Sequence, residues 1–355
     1  MSEFASIVGW DIGGAHLKAA RIAADGRLED VVQLPCALWL GIDRLEKACD
    51  AMLARLPDAP VLHAVTMTGE MSDLFADRNS GVAAIVACLG EQLARRRGRD
   101  ELRVFAGPAG FVDAAAAAGH SGEIASANWL ASALCCARIQ DNGIVVDIGS
   151  TTTDLIPFVA GRVCHAASDA GRLADGELVY AGIIRTALMA LARRAPYAGA
   201  WRATMAEHFA TTADVFRVLG ELDEAVDAQP AADGGAKTAT ASARRLLRMV
   251  GEDLPGSELE MIHNLARWYR QRLLEQIGEA LALRLSRGDI GADAPLVGAG
   301  IGRFLVDDLA ARCERRSQSI EALLCPDCDD PSRRAWAAHC APAVAVAQLA
   351  RRDGR

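Results

Sequence analysis

Two short segments of the chain combine carboxylates with glycine turns: Asp11-Ile12-Gly13-Gly14-Ala15-His16 and Asp147-Ile148-Gly149-Ser150-Thr151-Thr152-Thr153-Asp154. These residue types at this spacing suit phosphate chemistry. A glycine turn lets backbone N–H groups approach an anion closely, and such concavities bind phosphate oxygens. Hydroxyls on Ser150, Thr151 and Thr152 add donors, and Lys18, just beyond the first turn, is a further phosphate-binding candidate. The carboxylates of Asp11, Asp147 and Asp154 suit a hydrated Mg²⁺, which takes one or two carboxylates together with phosphates and waters. Two such loops facing each other across a cleft would clamp a diphosphate or a triphosphate. Each segment alone reads equally well as an ordinary hairpin; a second copy in matching context favours the phosphate site.

A third turn, Gly298-Ala299-Gly300-Ile301-Gly302, follows an expected strand at 294–297 and opens a helix. That context suits a nucleotide or phosphate at a helix N-terminus. It is not the dinucleotide fingerprint G-x-G-x-x-G, and no G-x-x-x-x-G-K-[ST] is present, so this is not a P-loop chain. Three polar segments stand out in apolar surroundings. Glu70 lies in TMTGEMSD (66–73) at the end of an expected buried strand, and Asn128 lies in SANW (126–129). Glu177 and Arg185 follow in the third. All three are candidates for substrate contact; turn and capping chemistry is the plainer alternative for each. Glu70 and His16 are the candidate bases. Cys325-Pro326-Asp327-Cys328 with His339 and Cys340 invites a zinc reading. Structural zinc is disfavoured, because an adjacent His-Cys is not the usual second ligand pair.

These residues must be positioned by a framework, and the pattern supplies one. Residues 6–12 and 17–22 read as strands about the first turn, and residues 143–148 and 153–159 read the same way about the second. The layout repeats at an offset of 136 residues (147 − 11), which implies two related halves. Helices are expected over 43–56 and 80–96, strands over 62–68 and 103–106, and mostly helix from 177 onward. The low-complexity stretch 229–242 predicts a mobile loop, and 341–351 a terminal helix docked on the core.

The composition bounds the function. The chain has 355 residues, above the size at which one core keeps growing, so two domains are expected. At 51% apolar and 24% charged it reads as a soluble globular protein. A net charge of −8 and an aromatic content of 5% argue against nucleic-acid binding. The N-terminus shows no secretory pattern and no apolar run reaches membrane-spanning length, so a cytoplasmic location with no membrane partner is expected. Ten cysteines then read as reduced thiols.

Together the motifs resemble the actin, sugar kinase and Hsp70 ATPase superfamily. Within it the chain resembles the hydantoinase A/oxoprolinase group, and in particular a subgroup linked to tetrahydromethanopterin-dependent C1 transfer and methanofuran biosynthesis. The resemblance rests on GWDIGGAHLKAA (9–20), VTMTGEMSDLF (65–75), ASANWLASA (125–133), VVDIGSTTTDLIP (145–157), LADGELVYAGIIRT (173–186), HFATTADVFRVLGELDE (208–224) and APAVAVAQL (341–349). It departs at Ile184-Arg185-Thr186-Ala187, where Arg-Thr-Pro is expected, and Cys325/Cys328 has no counterpart there.

The resemblance implies an α/β, two-domain actin-like ATPase (ribonuclease H-like) fold, with duplicated mixed β-sheets flanked by helices and an interdomain cleft. The domains would be 1–130, 131–340 with a helical insertion at about 177–290, and a terminal helix at 341–355 packing back on the first. The implied activity is a transferase. It would join an aminomethyl-furan-methyl diphosphate to the phenol of a γ-glutamyltyramine-like acceptor, with Mg²⁺ and release of diphosphate. An ATP-dependent kinase or hydrolase, holding ATP or ADP in the same loops, is the superfamily default. A nucleotide-binding regulatory or assembly protein is the reading from another class. The expected partner is a small-molecule diphosphate or nucleotide; a homodimer is left open.

Overall fold

The computed structural model describes residues 4–96, 100–166, 168–254 and 259–353. Residues 1–3, on which the absence of a secretory pattern partly rests, lie outside them. The first sheet is built from β1 (Ser6–Ile12), β2 (His16–Ala23), β3 (Leu28–Pro35), β4 (Val61–Met67), β5 (Glu101–Phe105) and β6 (Phe111–Asp113), in the order β3-β2-β1-β4-β5-β6. β1, β2 and β3 form an antiparallel meander, and β4 and β5 join β1 in parallel. That is the ribonuclease H-like arrangement. Helices α1 (Asp43–Leu53), α2 (Arg78–Ala94), α3 (Ser121–Ile124) and α4 (Asn128–Ala137) connect these strands and follow them.

Every residue of β1 is buried, which identifies a central strand covered on both faces. On one face Val8 and Trp10 enter a core with Leu45, Cys49, Ile85 and Leu89 of α1 and α2. On the other face only a glycine fits: a Cβ on Gly9 would lie 1.9 Å from the Ala343 carbonyl. α2 starts earlier than the apolar period suggests, because Asp77 and Ser80 close a capping box at its first turn.

The second sheet follows the order β10-β8-β7-β13-β14, with β9 beside β8. Its strands are β7 (Gly143–Ile148), β8 (Thr153–Val159), β9 (Arg162–Val163), β10 (Leu178–Val179), β13 (Leu296–Ala299) and β14 (Ser317–Ser319), and a separate hairpin pairs β11 (Arg194–Tyr197) with β12 (Ala200–Ala203). That hairpin interrupts the stretch expected to be mostly helical. The remaining helices, in chain order, are α5 (Asp169–Ala174), α6 (Leu188–Leu191), α7 (Thr212–Leu219), α8 (Ala239–Arg248), α9 (Leu259–Leu285), α10 (Val306–Arg312), α11 (Glu321–Leu324), α12 (Pro331–His339) and α13 (Ala341–Asp353).

Two compact units result. One comprises Met1–Val145, Ile156–Cys164 and Gln318–Arg355; the other comprises Val146–Leu155 and His165–Ser317. In the first unit α13 packs on β1, β2, β4 and α4. No helix among the described residues is long and apolar enough to cross a membrane.

The loop expected at 229–242 needs correction. Residues 239–242 are the first turn of α8, capped by the Thr238 hydroxyl. Ahead of it, Lys237 Nζ donates to the Gln229 carbonyl at 2.9 Å, and Asp233 pairs with Arg245 at 3.0 Å. Low complexity missed this because the anchors are single charges that find partners only in the fold.

Candidate active site

In the first unit the functional candidates gather where β1 and β4 end. Asp11 is buried next to the last residue of β1. Its register neighbours are Lys18 on β2 and Thr66 on β4, so all three share a face. Lys18 Nζ stands 3.9 Å from the Asp11 carboxylate, and Asn128 Nδ2 at the start of α4 donates to it at 3.3 Å. Burial pushes the Asp11 carboxyl above the usual range; Lys18 and Asn128 pull it back. His16, half-buried, opens β2, and its carbonyl accepts from Gly13 N–H at 3.0 Å. Gly14 has open space where a side chain would be.

Glu70 lies three residues beyond β4 and is 1% exposed. Its Oε1 accepts from the Ser126 hydroxyl at 2.9 Å. Its Oε2 is buried with no hydrogen-bond partner among the described residues. Burial raises the Glu70 carboxyl, opposed by hydrogen bonds that include Ser126. A carboxylic acid in such a setting is a proton-transfer candidate.

The second unit repeats the turn. Gly149 N–H donates to Thr152 O at 2.9 Å, as Gly13 does to His16 O. The β1-end carbonyl of Ile12 accepts from Thr68 at 3.0 Å, and that of Ile148 accepts from Gly302 at 2.8 Å. The offset of 136 residues read from the two motifs therefore governs equivalent backbone hydrogen bonds. The turn after β13 takes the place of the turn after β4, which explains the third glycine cluster. A Cβ on Gly300 would fall 2.3 Å from Asp147 Oδ1, and one on Gly302 2.5 Å from Ile148. With φ of +79° at Gly300, that position admits glycine alone in comfort. Gly298, within β13, lies against Val306 at the start of α10.

The residues 182–185 back the second turn. Ile183 N–H donates to Gly149 O, and Ile184 and Arg185 N–H both donate to Ser150 O. With the Gly149 N–H given to Thr152 O, the remaining donors of the turn are its other N–H groups and the hydroxyls of Ser150 and Thr151, 3.3 Å apart. Arg185 itself is exposed. Gly182, not singled out in the sequence, lies against Gly149 and Ser150 so closely that a Cβ would meet Gly149 O at 2.5 Å. A glycine inside the buried run 181–184 is the signal that could have found it.

Two candidates are engaged structurally. Asp154 pairs with the buried Arg172 at 2.5 Å, an arrangement that ties β8 to α5. Glu177 is buried, and its carboxylate accepts from Ala166 N–H at 2.9 Å. Among the described residues no three His, Cys, Asp or Glu side chains converge as a protein-built metal cage requires. Half-buried Asp147, beside Gly300, fits the other mode, a single carboxylate meeting Mg²⁺ that arrives with phosphate. Cys328 N–H donates to Cys325 O at 3.1 Å, and both thiols are buried. Each turns its S–H toward a backbone carbonyl, of Glu321 and Asp330, and burial pushes Cys325 up to about 12.

The model of the hydantoinase/oxoprolinase family matches residues 62–325 of this chain. Over 306 residues the chain is 29% identical to a (4-{4-[2-(gamma-L-glutamylamino)ethyl]phenoxymethyl}furan-2-yl)methanamine synthase of Methanocaldococcus jannaschii, covering 85% of this chain and 88% of that protein. It is 33% identical over 142 residues to the synthase of the same name from Methanococcus vannielii, covering 40% of this chain and 64% of that one. Among solved structures it is similar to a nucleotide-free acetone carboxylase, at a TM-score of 0.51 and 10% identity, over 84% of this chain and 65% of that one. This last likeness concerns the fold alone.

Proposed function

The chain belongs to the hydantoinase/oxoprolinase family, and from that premise we propose that it is a condensing transferase. It would join an aminomethyl-furan-methyl diphosphate to the phenol of a γ-glutamyltyramine-like acceptor, in the synthesis of a methanofuran-type C1 carrier. The observation that carries this reading is the similarity to the Methanocaldococcus jannaschii synthase along 85% of the chain.

The chemistry assigns roles to named groups. The phenolic oxygen attacks the furan methylene, the C–O bond to diphosphate breaks, and its electron pair leaves with the diphosphate. Because the furan supports positive charge at that methylene, bond breaking runs ahead of bond making. The leaving group then needs donors that are already oriented. The turn Gly149–Thr152 supplies these, backed by 182–185. Mg²⁺ that accompanies the diphosphate would meet Asp147 and neutralise developing charge. The phenol, with an unperturbed pKa of about 10, must lose its proton. Glu70 Oε2, buried and without a hydrogen-bond partner among the described residues, is the proposed acceptor. Lys18 and Asn128 hold Asp11, and His16 is retained as a second base candidate.

The test is direct. Purified protein with Mg²⁺ and both substrates is expected to form the ether and release one diphosphate per product, with no ATP consumed. Absence of ether under those conditions overturns the reading. The second reading is an ATP-dependent kinase or hydrolase of the hydantoinase/oxoprolinase type; labelled ATP turning over with a small acceptor would support it.

A further inference from the structure

The backbone of Ser126 is strained. Its φ is +54°, a left-handed conformation that a residue with a Cβ rarely adopts. Ser126 sits in the three-residue break between α3 and α4 and is 8% exposed. Its hydroxyl reaches Glu70 Oε1 at 2.9 Å and Met71 Sδ at 3.0 Å. A hydroxyl has one proton, and a carboxylate is a far better acceptor than a thioether. The donor therefore goes to Glu70. On its other side the Glu70 main chain lies flat on α2: a Cβ on Gly81 would fall 2.7 Å from the Glu70 carbonyl and 2.8 Å from its Cβ. The Glu70 main chain is thus held against α2, and its carboxylate has Oε1 occupied by Ser126 and Oε2 buried without a hydrogen-bond partner among the described residues.

We propose that Ser126 is a positioning residue for the reaction: its left-handed backbone aims the hydroxyl at Glu70 Oε1, which holds the carboxylate in one orientation and leaves Oε2 as the atom that receives the phenolic proton. This rests on the assignment of Glu70 as base. Strain of this kind persists where the surrounding structure enforces it, and it clusters at working sites. The hydrogen bond also favours the ionised carboxylate that a base must be. Capping of α4 does not account for the conformation, because no side chain caps that helix and Ser126 precedes the residue at its N-cap position.

The experiment uses Ser126→Ala and Ser126→Gly in the full chain. Ser126→Gly removes the hydroxyl while relaxing the backbone, so it separates loss of the hydrogen bond from loss of fold, checked by Tm. The Glu70 titration is followed by carbon-13 NMR of glutamate carboxyls, the signal being assigned by its absence in Glu70→Gln. In parallel, the pH profile of kcat/KM is measured with the furan-methyl diphosphate and the phenol. Loss of a donor to the carboxylate destabilises its ionised form. Both variants are therefore expected to move the Glu70 titration and the acid limb of the profile to higher pH together. The expected fall in kcat is about tenfold with KM little changed. A Glu70 titration that stays in place in both variants overturns the proposal. Full turnover by Glu70→Gln instead overturns the base assignment itself, whatever Ser126 does.

Discussion

At the scale of single residues, burial raises three of the candidate carboxyls, Glu70, Asp11 and Asp154, and of these Asp154 is engaged by Arg172. Glu70 and Asp11 both lie above the usual carboxylate range because burial disfavours their charged forms. A carboxyl whose folded pKa is raised stabilises the fold while it is protonated, and that stability is lost as pH rises through the folded pKa. Glu70→Gln is therefore expected to raise Tm at pH 8 relative to the parent chain, with the gain vanishing in acid. The same variant should lose roughly 10²–10⁴-fold in kcat, the usual contribution of a positioned base. A thermal shift series across pH, with the turnover assay beside it, checks both. Asp147→Ala is expected to abolish diphosphate binding in the presence of Mg²⁺ while leaving the circular dichroism spectrum unchanged; calorimetric binding equal to the parent's would remove Asp147 from the site. The polar candidates were legible as polar types stranded in apolar runs, as with Glu70 and Asn128. What spacing does not encode is the partner. Asp154 and Glu177 carry the same side-chain chemistry, yet Arg172 and Ala166 N–H engage them.

Elements decide how firmly the site residues are held. The β-strand ends and glycine turns were readable from alternation and from the Asp-Ile-Gly signature, and the backbone hydrogen bonds follow the same offset. Gly300 shows what such a turn demands: Gly300→Ala places a Cβ 2.3 Å from Asp147 Oδ1 at a φ of +79°. It is expected to weaken diphosphate binding at least tenfold, about 1.4 kcal/mol, as read by calorimetry. Farther away, α7 and α8 are joined by a buried ionic network that periodicity does not reveal. Asp214 Oδ1 accepts from Ser242 Oγ at 2.7 Å and from Arg245 Nε at 2.8 Å. Asp214→Ala strands a buried guanidinium and is expected to cost about 3–5 kcal/mol, measured as a lower urea midpoint. A change below about 0.5 kcal/mol, the range of ordinary surface substitutions, would show that Asp233, also paired with Arg245, suffices.

The whole molecule carries ten cysteines, and the fold gives them an account that the motifs do not. Eight are buried; Cys164 and Cys313 are partly exposed. Burial pushes Cys36 and Cys135 up to about 11, and Cys88, Cys325 and Cys340 up to about 12. The thiolate is the reactive form. A thiol reagent at pH 8 is therefore expected to modify Cys164 quickly in the native protein, Cys313 more slowly because burial pushes its thiol up too, and all ten only after denaturation. Rapid native modification at Cys325 or Cys328 would contradict that burial. The net charge of −8 takes on a sharper meaning too. An acidic chain can still take up a diphosphate where backbone N–H groups and a metal ion supply the local positive field.

The sequence by itself determined the repeated Asp-Gly turns, their 136-residue offset and the strands that carry them. Those features are local: a short chain segment with glycine at one position and a β-rich run on either side has few conformations open to it. The tertiary structure alone decided which polar residues are free to act and which are engaged. It turned Ser126 left-handed toward Glu70, 56 residues away, set Asn128 on Asp11 across 117 residues, and laid α13 against the glycine of β1. Such contacts arise from burial and close packing between segments remote in sequence, and no motif spacing records them.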